Sequence, residues 1–283
     1  GKMNVVIGNN MQNLNVLIVL THFFVQIFYN KVRHFIIELN KGVLQMEKSQ
    51  IVNYWDKRAG SFGENKQAEL ESKHALTWIN EINQIAPIYK DMKILDIGTG
   101  AGFLAILCTQ HGGAVTGIDL SPEMIEHAKA NAQHFKQNID FKIMDAENLN
   151  FEDETFDIVI SRNVTWLLPD TKGAYKEWLR VLKPQGKLIN IDADYGKDSF
   201  ESYESIGSNH AHDTLGKDML AESEAIKQSI SINHQPRPQY DIQILKELGF
   251  NHIHFDEGVY HRIYNEKDAF YNPTPIFLIS VTK

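Results

Sequence analysis

The sequence is poor in residues that several protein classes require. It contains a single cysteine, Cys108, in 283 residues, so no internal disulfide forms and a thiolate metal centre is not expected. Its 28 Lys and Arg residues against 36 Asp and Glu give a formal net charge of −8, and they form no basic cluster. Because nucleic-acid binding needs grouped cations, DNA and RNA are not expected partners. The composition favours a cytoplasmic protein with one substantial α/β core.

The chain also has no apolar run long enough to cross a membrane stably. The most apolar stretch, residues 15–29, is interrupted by His22 and Gln26, whereas a span needs about 20 apolar residues. Nor does the stretch have the cleavage-site pattern of a signal peptide. Residues 1–45 are then a helix docked on the domain or on a partner, an interfacial anchor, or an extension upstream of a natural start at Met46. We favour the docked helix, which would suit a homodimer.

A glycine-rich turn between a strand and a helix is the most informative pattern in the chain. Asp96 lies in an apolar run, and Gly98, Gly100 and Gly102 follow it at alternate positions. Glycine allows a sharp bend and lets a ligand lie against backbone N–H groups at a helix N-terminus. The third glycine of a dinucleotide site is missing, since Phe103 occupies its position. The pattern therefore predicts a different nucleoside ligand.

Three further motifs follow along the chain. Asp119 closes the next apolar strand, where a carboxylate can accept the hydroxyls of a ribose. Ser121 and Pro122 are typical of the start of a helix. The third strand ends at Asp145, and the segment 175–190 reads as a helix, a Pro-Gln-Gly turn and a fifth strand.

With these motifs, residues 50–195 resemble the class I S-adenosylmethionine-dependent methyltransferases. The likeness is greatest to the small-molecule branch that includes the ubiquinone and menaquinone biosynthesis enzymes. The segment 175–190 is similar to that family's R-x-L-K-P-G-G signature, with Gln185 in place of the first glycine. The resemblance implies an α/β fold, a Rossmann-like and mostly parallel seven-stranded sheet with helices on both faces. We expect an N-terminal helical extension and an inserted lid in addition.

We divide the chain into five segments on this basis. They are an N-terminal apolar helical extension (residues 1–45), a helical cover (46–90), a cofactor-binding core (91–195), an inserted cap or lid (196–239), and a C-terminal helix with the last strands of the core (240–283).

The resemblance implies S-adenosylmethionine as the cofactor and assigns its contacts. Asp119 would hold the ribose, and Asp145 and Ala146 the adenine. Asp96 would contact the cofactor or hold the shape of the glycine loop. The cofactor residues expected in this way are Asp96, Gly98, Thr99, Gly100, Gly102, Asp119, Leu120, Asp145, Ala146, Arg162 and Tyr54.

Residues that bind the acceptor should come from the cover and from the loops after the fourth and fifth strands. The cover resembles the family's Y-W-x-x-x-A-x-x-F element, in which Tyr54, Arg58 and Phe62 close the site. Packing of the aromatic residues into the core, with a solvated Arg58, is the alternative. The acceptor residues expected are Arg58, Asn163, Trp166 and Tyr195.

A base would assist transfer to an amine, a phenol or a thiol. His74, Asp192 and Asp194 are the candidates by position, and the two acids would also suit a cationic acceptor. No metal is expected. The pairs His210/His212, with Asp213 nearby, and His252/His254 lack further ligands at a defined spacing.

The sequence thus predicts an S-adenosylmethionine-dependent methyltransferase that moves a methyl group to a small molecule by in-line displacement. A quinone-pathway C-methyltransferase is an alternative, in which the apolar N-terminal helix helps the enzyme meet a lipid substrate. A non-catalytic nucleoside-binding module is another.

Overall fold

The computed structural model describes residues 2–200 and 216–283. The chain divides into two compact units, Gly1–Lys48 and Ser49–Lys283. Helix α1 runs from Lys2 to Leu70, so the boundary predicted at Met46 falls inside a helix. In the first unit the apolar side chains described between residues 25 and 46 are exposed, Phe28 by 70% and Phe35 by 67%.

No helix in the described part of the chain is long and apolar enough to span a membrane.

The second unit is built on one seven-stranded sheet. Its strands are β1 (Lys93–Ile97), β2 (Ala114–Asp119), β3 (Asp140–Ile143), β4 (Phe156–Arg162), β5 (Leu182–Ala193), β6 (Ile253–Asp256) and β7 (Ile276–Thr282). They lie in the order β3-β2-β1-β4-β5-β7-β6. Strands β1 to β5 pair in parallel, and β7 is antiparallel to both β5 and β6. The carboxyl ends of β1 to β5 therefore meet at one edge.

Helices cover both faces of this sheet, so the predicted fold class is confirmed. The helices after α1 are α2 (Lys73–Ile85), α3 (Phe103–Gln110), α4 (Pro122–His134), α5 (Thr171–Val181), α6 (Lys217–Ser229), α7 (Gln239–Glu247) and α8 (Val259–Ile263). In β4, Ile158 and Ile160 share a core cluster with Leu104 of α3. Val159 between them belongs to the other cluster, with Trp178 of α5. This alternation follows from the period of two in a strand.

Helix α4 begins where its first residues predict. The Ser121 hydroxyl accepts a hydrogen bond from the Met124 N–H at 3.1 Å, and Pro122 is the first helical residue. A side-chain cap and a proline that needs no N–H partner stabilise this end.

The predicted turn before the fifth strand is instead a bulge within it. Leu182 pairs with Phe156 and Lys187 with Ile158, so residues 183–186 lie opposite one residue of β4. Gln185 has a φ of +65°, the left-handed region that favours glycine. The family signature carries glycine at this position, and here a glutamine adopts that conformation.

Of the predicted lid, the structure describes residues 196–200 and 216–239, which include α6 and a 3-10 turn at Ser231–His234. His210, His212 and Asp213 lie outside the described residues.

Candidate functional site

The glycine loop joins β1 to α3 at the carboxyl edge of the sheet. Gly98, Gly100 and Gly102 have φ values of +63°, +53° and +87°, which L side chains rarely adopt. A Cβ at Gly98 would lie 2.3 Å from Cγ2 of Val164. Only glycine fits there, and Gly98 and Gly100 are partly exposed.

Asp96 is buried beneath this loop and fixes its shape. Its Oδ2 accepts hydrogen bonds from the Thr99 hydroxyl at 2.6 Å and from the Ala105 N–H at 3.0 Å. Burial raises the pKa of Asp96 to about 7. These contacts favour the shape-holding alternative over a direct contact with the cofactor.

Asp119 ends β2 beside the loop. Its Oδ2 accepts the Gly100 N–H at 2.9 Å, and its Oδ1 accepts the Ser121 N–H at 2.9 Å. Burial raises the pKa of this carboxyl. Leu120 follows it and is half-buried. Each carboxylate oxygen keeps a lone pair for a further donor.

The loop after β3 lies next to this position. The Met144 N–H donates to the Asp119 carbonyl at 2.9 Å, which ties the two loops together. Asp145 accepts the Glu147 N–H at 2.9 Å, and the Ala146 carbonyl accepts from the Trp178 indole at 2.8 Å. Both residues are half-buried, so the structure brings together the predicted adenine and ribose positions.

The last turns of α1 cover the glycine loop. A Cβ at Gly100 would lie 3.1 Å from the Phe62 ring. Tyr54 is 1% exposed, and Nη1 of Arg58 donates to its hydroxyl at 3.4 Å. The Arg58 guanidinium also lies 5.4 Å from the centre of the Trp55 ring. The predicted alternative of a solvated Arg58 is therefore wrong.

A buried ion cluster lies beside this cover. Glu69 accepts from Nη2 of Arg162 at 2.9 Å and from Nζ of Lys66 at 2.5 Å. Burial lowers the pKa of Lys66 to about 8. Burial would raise the pKa of Glu69, but Arg162 and Lys66 lower it to about 2. The Arg162 guanidinium packs 4.1 Å from the Trp78 ring and 4.8 Å from the Phe103 ring.

Six buried side-chain atoms of the described residues have no hydrogen-bond partner. They are Trp55 Nε1, Arg58 Nε, His74 Nδ1, Arg162 Nη1, Asn163 Oδ1 and Asn233 Oδ1. Four of them belong to residues that the sequence predicts at the site, namely Arg58, His74, Arg162 and Asn163. An unpaired buried polar atom is unfavourable, so such atoms mark positions where a ligand or an ordered water can supply the missing partner.

His74 lies in the first turn of α2 and is 2% exposed. Its Nε2 is 2.7 Å from Oδ2 of Asp268. Its ring contacts those of Tyr264 and Phe270, with centroids 6.1 Å and 5.4 Å away.

Asp192 lies in a buried network instead of an open pocket. Its side chain is fully buried and accepts from the Thr165 hydroxyl, the Trp166 N–H and the guanidinium of Arg237. Burial raises the pKa of Asp192. Because these donors already occupy the carboxylate, we assign Asp192 to the support of the site instead of to proton transfer.

Asp194 lies at the edge of the same network. It accepts the Arg237 N–H at 3.2 Å and pairs with Lys197 at 2.8 Å. The two acids therefore do not form a free pair that could receive a cationic acceptor.

The acceptor residues predicted after β4 and β5 pack against each other. Trp166 and Tyr195 have ring centroids 5.1 Å apart, and the Trp166 indole donates to the Asn163 carbonyl at 3.0 Å. Phe200 contacts both rings. Trp166, Tyr195 and Phe200 therefore form an aromatic cluster. Asn163, which bonds to Trp166, directly follows Arg162.

Sequence reasoning missed four residues here, Lys66, Glu69, Tyr264 and Asp268. Lys66 and Glu69 are three positions apart on one helix, a spacing that indicates an ion pair. No local signal marks Asp268, because its partner His74 is 194 positions away. Across residues 2–200 and 216–283, no three or more His, Cys, Asp or Glu side chains are grouped to hold a metal ion.

Comparisons with known proteins identify the family to which this fold belongs. A methyltransferase domain model matches residues 95–190. The ubiquinone biosynthesis O-methyltransferase of Coxiella burnetii is 34% identical over 100 residues, which cover 35% of this chain and 43% of that protein. The chain thus matches less than half the length of that relative.

Two other proteins extend the likeness. The solved phosphoethanolamine N-methyltransferase 2 of Haemonchus contortus, in complex with S-adenosyl-L-methionine, shares the fold with a TM-score of 0.51 and 20% identity, over 72% of this chain and 51% of that one. The ubiquinone/menaquinone biosynthesis C-methyltransferase of Rickettsia felis is 30% identical over 188 residues, 63% of this chain and 75% of that protein. The chain belongs to the class I S-adenosylmethionine-dependent methyltransferases.

Proposed function

We propose that this protein binds S-adenosylmethionine at the carboxyl edge of β1 to β4 and methylates a small-molecule acceptor. The observation that carries the proposal is the set of buried polar atoms without partners around the glycine loop, those of Arg58, Arg162 and Asn163 among them. They lie between the cover from α1 and the loops that follow the strands, which is where a ligand would meet both.

The residues at this edge fit the cofactor part by part. Glycine at positions 98 and 100 lets the loop approach Val164 and Phe62 closely, where a Cβ would be crowded by their side chains. Asp119 keeps acceptor capacity for the ribose hydroxyls, and the half-buried Asp145 and Ala146 lie beside it for the adenine. Nε of Arg58 and Nη1 of Arg162 are buried donors that suit the carboxylate of the amino-acid part.

When bound, S-adenosylmethionine supplies a methyl group on a positively charged sulfur. The residues of the chain align the two reactants and exclude water, which is most of what an in-line displacement requires. Phe62 and Tyr54 close the site from above, and Asp96 fixes the loop from below.

A second candidate is methylation of a quinone precursor. The names of the Coxiella and Rickettsia relatives favour it, as does the aromatic cluster of Trp166, Tyr195 and Phe200, which would stack on a ring. The absence of a nucleic-acid partner, the homodimer through residues 1–45 and the cytoplasmic location stay predictions.

Calorimetric titration with S-adenosylmethionine and S-adenosylhomocysteine tests the proposal. We expect both compounds to bind, and Asp119→Ala to lower their affinity by about 10-fold or more, since hydrogen bonds to a charged group are lost. Asp140→Ala is the matched control, because Asp140 is exposed at the opposite end of β3. Absence of binding to either compound would contradict the proposal.

Methyl transfer to a panel of phenols, amines and thiols follows. Turnover of any of them supports an enzyme. Tight cofactor binding without any turnover would favour the non-catalytic module instead.

A further inference from the structure

The pairing of His74 with Asp268 leaves one imidazole nitrogen without a role in the fold. Asp268 precedes β7, and its Oδ2 lies 2.7 Å from Nε2 of His74, while its Oδ1 accepts the Phe270 N–H at 3.0 Å. The other ring nitrogen, Nδ1, is buried and has no hydrogen-bond partner. A core histidine with a purely structural role has both nitrogens satisfied.

Asp268 determines which nitrogen carries the proton. Burial would raise the pKa of Asp268, but the hydrogen bond from His74 and the Phe270 N–H lower it on balance. The carboxylate is therefore ionised and accepts the Nε2 hydrogen. In the neutral ring Nδ1 then presents a lone pair, the form in which histidine accepts a proton.

The surroundings of His74 connect it to the cofactor side of the site. Nη2 of Arg162 donates to the Tyr264 hydroxyl at 3.2 Å, and the Tyr264 ring contacts that of His74. Arg162 in turn packs on Phe103, the first residue of α3 after the glycine loop. The charged and titratable groups around His74 are Asp268, Tyr264, the Glu69–Arg162 pair and the exposed Lys73–Glu266 pair.

We propose that His74 is the catalytic base and that it serves an acceptor whose methylated atom is a phenolic oxygen. This inference rests on the proposed methyltransferase function. The oxygen forms a bond to the methyl carbon while the carbon–sulfur bond breaks and its electron pair stays on sulfur. The phenolic proton moves to Nδ1 of His74. Asp268 is a positioning residue, which holds the tautomer and the orientation of the ring.

The choice of a phenol follows from two features of the site. A phenol ionises little near neutral pH, since tyrosine has a pKa of about 10, so its oxygen gains from a base. Aromatic rings also flank the imidazole, those of Tyr264 and Phe270, and they offer faces against which an aromatic acceptor can pack.

Kinetics of the full-length enzyme with catechol, aniline and thiophenol test the inference. We expect transfer to catechol, and we expect His74→Gln to lower kcat about 100-fold or more with unchanged binding of S-adenosylhomocysteine. Asp268→Asn should cause a smaller loss and change the acidic limb of the pH profile. Glu71→Gln is the matched control, since it removes the carboxylate of an exposed histidine pair, His134–Glu71, and should change neither quantity.

Nitrogen-15 spectra of histidine-labelled protein provide a readout that needs no turnover. The signal that His74→Gln removes should belong to an Nε2–H tautomer, and its Nδ1 resonance should shift when catechol is added to the complex with S-adenosylhomocysteine. A wild-type rate in folded His74→Gln, transfer to thiophenol or aniline alone, an Nδ1–H tautomer, or an Nδ1 resonance that catechol leaves unchanged would each overturn the inference. If S-adenosylmethionine and S-adenosylhomocysteine both fail to bind, the proposed function fails, and the tautomer measurement still reports on the pair.

Discussion

Arg162 and Glu69 form an ion pair inside the protein, with Nη2 and Oε1 2.9 Å apart and the Glu69 side chain fully buried. Arg162 is the last residue of β4, whereas Glu69 lies in the last turn of α1, 93 positions earlier. The pair attaches the helical cover to the edge of the sheet. The Arg162 guanidinium packs on the Trp78 ring and pairs with Glu69, and its Nη1 remains available to donate to a ligand.

Removal of the Glu69 charge should destabilise the protein strongly. Glu69→Gln leaves two cations, Lys66 and Arg162, without their buried counter-ion, and we expect the free energy of unfolding to fall by about 3–5 kcal/mol. Urea denaturation near neutral pH measures it. Glu71→Gln, at an exposed residue directly after α1, should change the free energy of unfolding by less than about 1 kcal/mol. Equal small effects would show that the buried pair adds nothing to stability.

Loss of the conformational freedom at Gly98 should abolish cofactor binding. An alanine there would be strained at a φ of +63° and would clash with Val164, so we expect Gly98→Ala to cost about 1–3 kcal/mol of stability and to eliminate calorimetric binding. Gly60→Ala is the control. Gly60 lies in α1 with no atom near its Cβ position, and an alanine should stabilise the helix by up to about 1 kcal/mol. Normal cofactor binding by Gly98→Ala would contradict the prediction that the glycine loop binds the cofactor.

Arg58 should select for the amino-acid part of the cofactor. Because its free Nε suits a carboxylate, Arg58→Gln should weaken binding of S-adenosylhomocysteine by about 10-fold but leave 5′-methylthioadenosine, which lacks that part, unaffected. Lys57→Gln, a change at an exposed neighbour paired with Glu222, should alter neither affinity. A parallel loss for both compounds would show that Arg58 acts only through packing.

Asp192 should contribute to stability and not to proton transfer. Asp192→Asn weakens the hydrogen bonds from Thr165 and Arg237, and we expect the free energy of unfolding to fall by about 1–3 kcal/mol while kcat of the folded protein is retained. Asp194→Asn, at the more exposed pair with Lys197, should have a smaller effect on stability. A loss of turnover by the folded Asp192→Asn enzyme, of the size expected for a missing base, would restore Asp192 as a catalytic candidate.

Asp96 should make the protein less stable as the pH rises. Burial raises its pKa from 3.8 to about 7, so its protonated form favours the folded state, and that contribution is lost as the pH rises from about 3.8 to about 7. Compared with Asp96→Asn, the wild type should lose up to about 1.4 kcal/mol per pH unit in this window. Denaturation of both proteins across the window measures the difference. Parallel curves would contradict the shift, and exposed Asp140→Asn should run parallel to wild type.

The grouping of the candidate cofactor residues at one edge of the sheet could be predicted because its signals are local. Gly98, Gly100 and Gly102 sit in one turn, Asp119 ends β2, and Asp145 lies in the loop after β3, so the parallel sheet alone brings them to one edge. The start of α4 could likewise be predicted from two adjacent residues, the capping Ser121 and the first helical residue Pro122.

The acceptor side depends on pairings that no local pattern encodes. Asp192 looked available at the end of β5 because its partner Arg237 comes from the segment predicted as a lid, 45 positions later. Asp268 was not predicted because its role depends on its contact with His74, 194 positions earlier. Burial of these groups depends on the tertiary structure. It determines whether a carboxylate stabilises the fold or is available for proton transfer.

Ala193 at the end of β5 pairs directly with Ile276 at the start of β7. The chain between them, which includes Arg237, Tyr264 and Asp268, leaves the sheet and returns to it next to the point of departure, and its strand β6 adds a second pairing with β7. We expect that this segment can be exchanged as a unit, provided that the incoming piece supplies an edge strand for β7 and partners for Asp192 and His74. Such an exchange would change the candidate acceptor side without any substitution in the glycine loop or in the loops after β2 and β3.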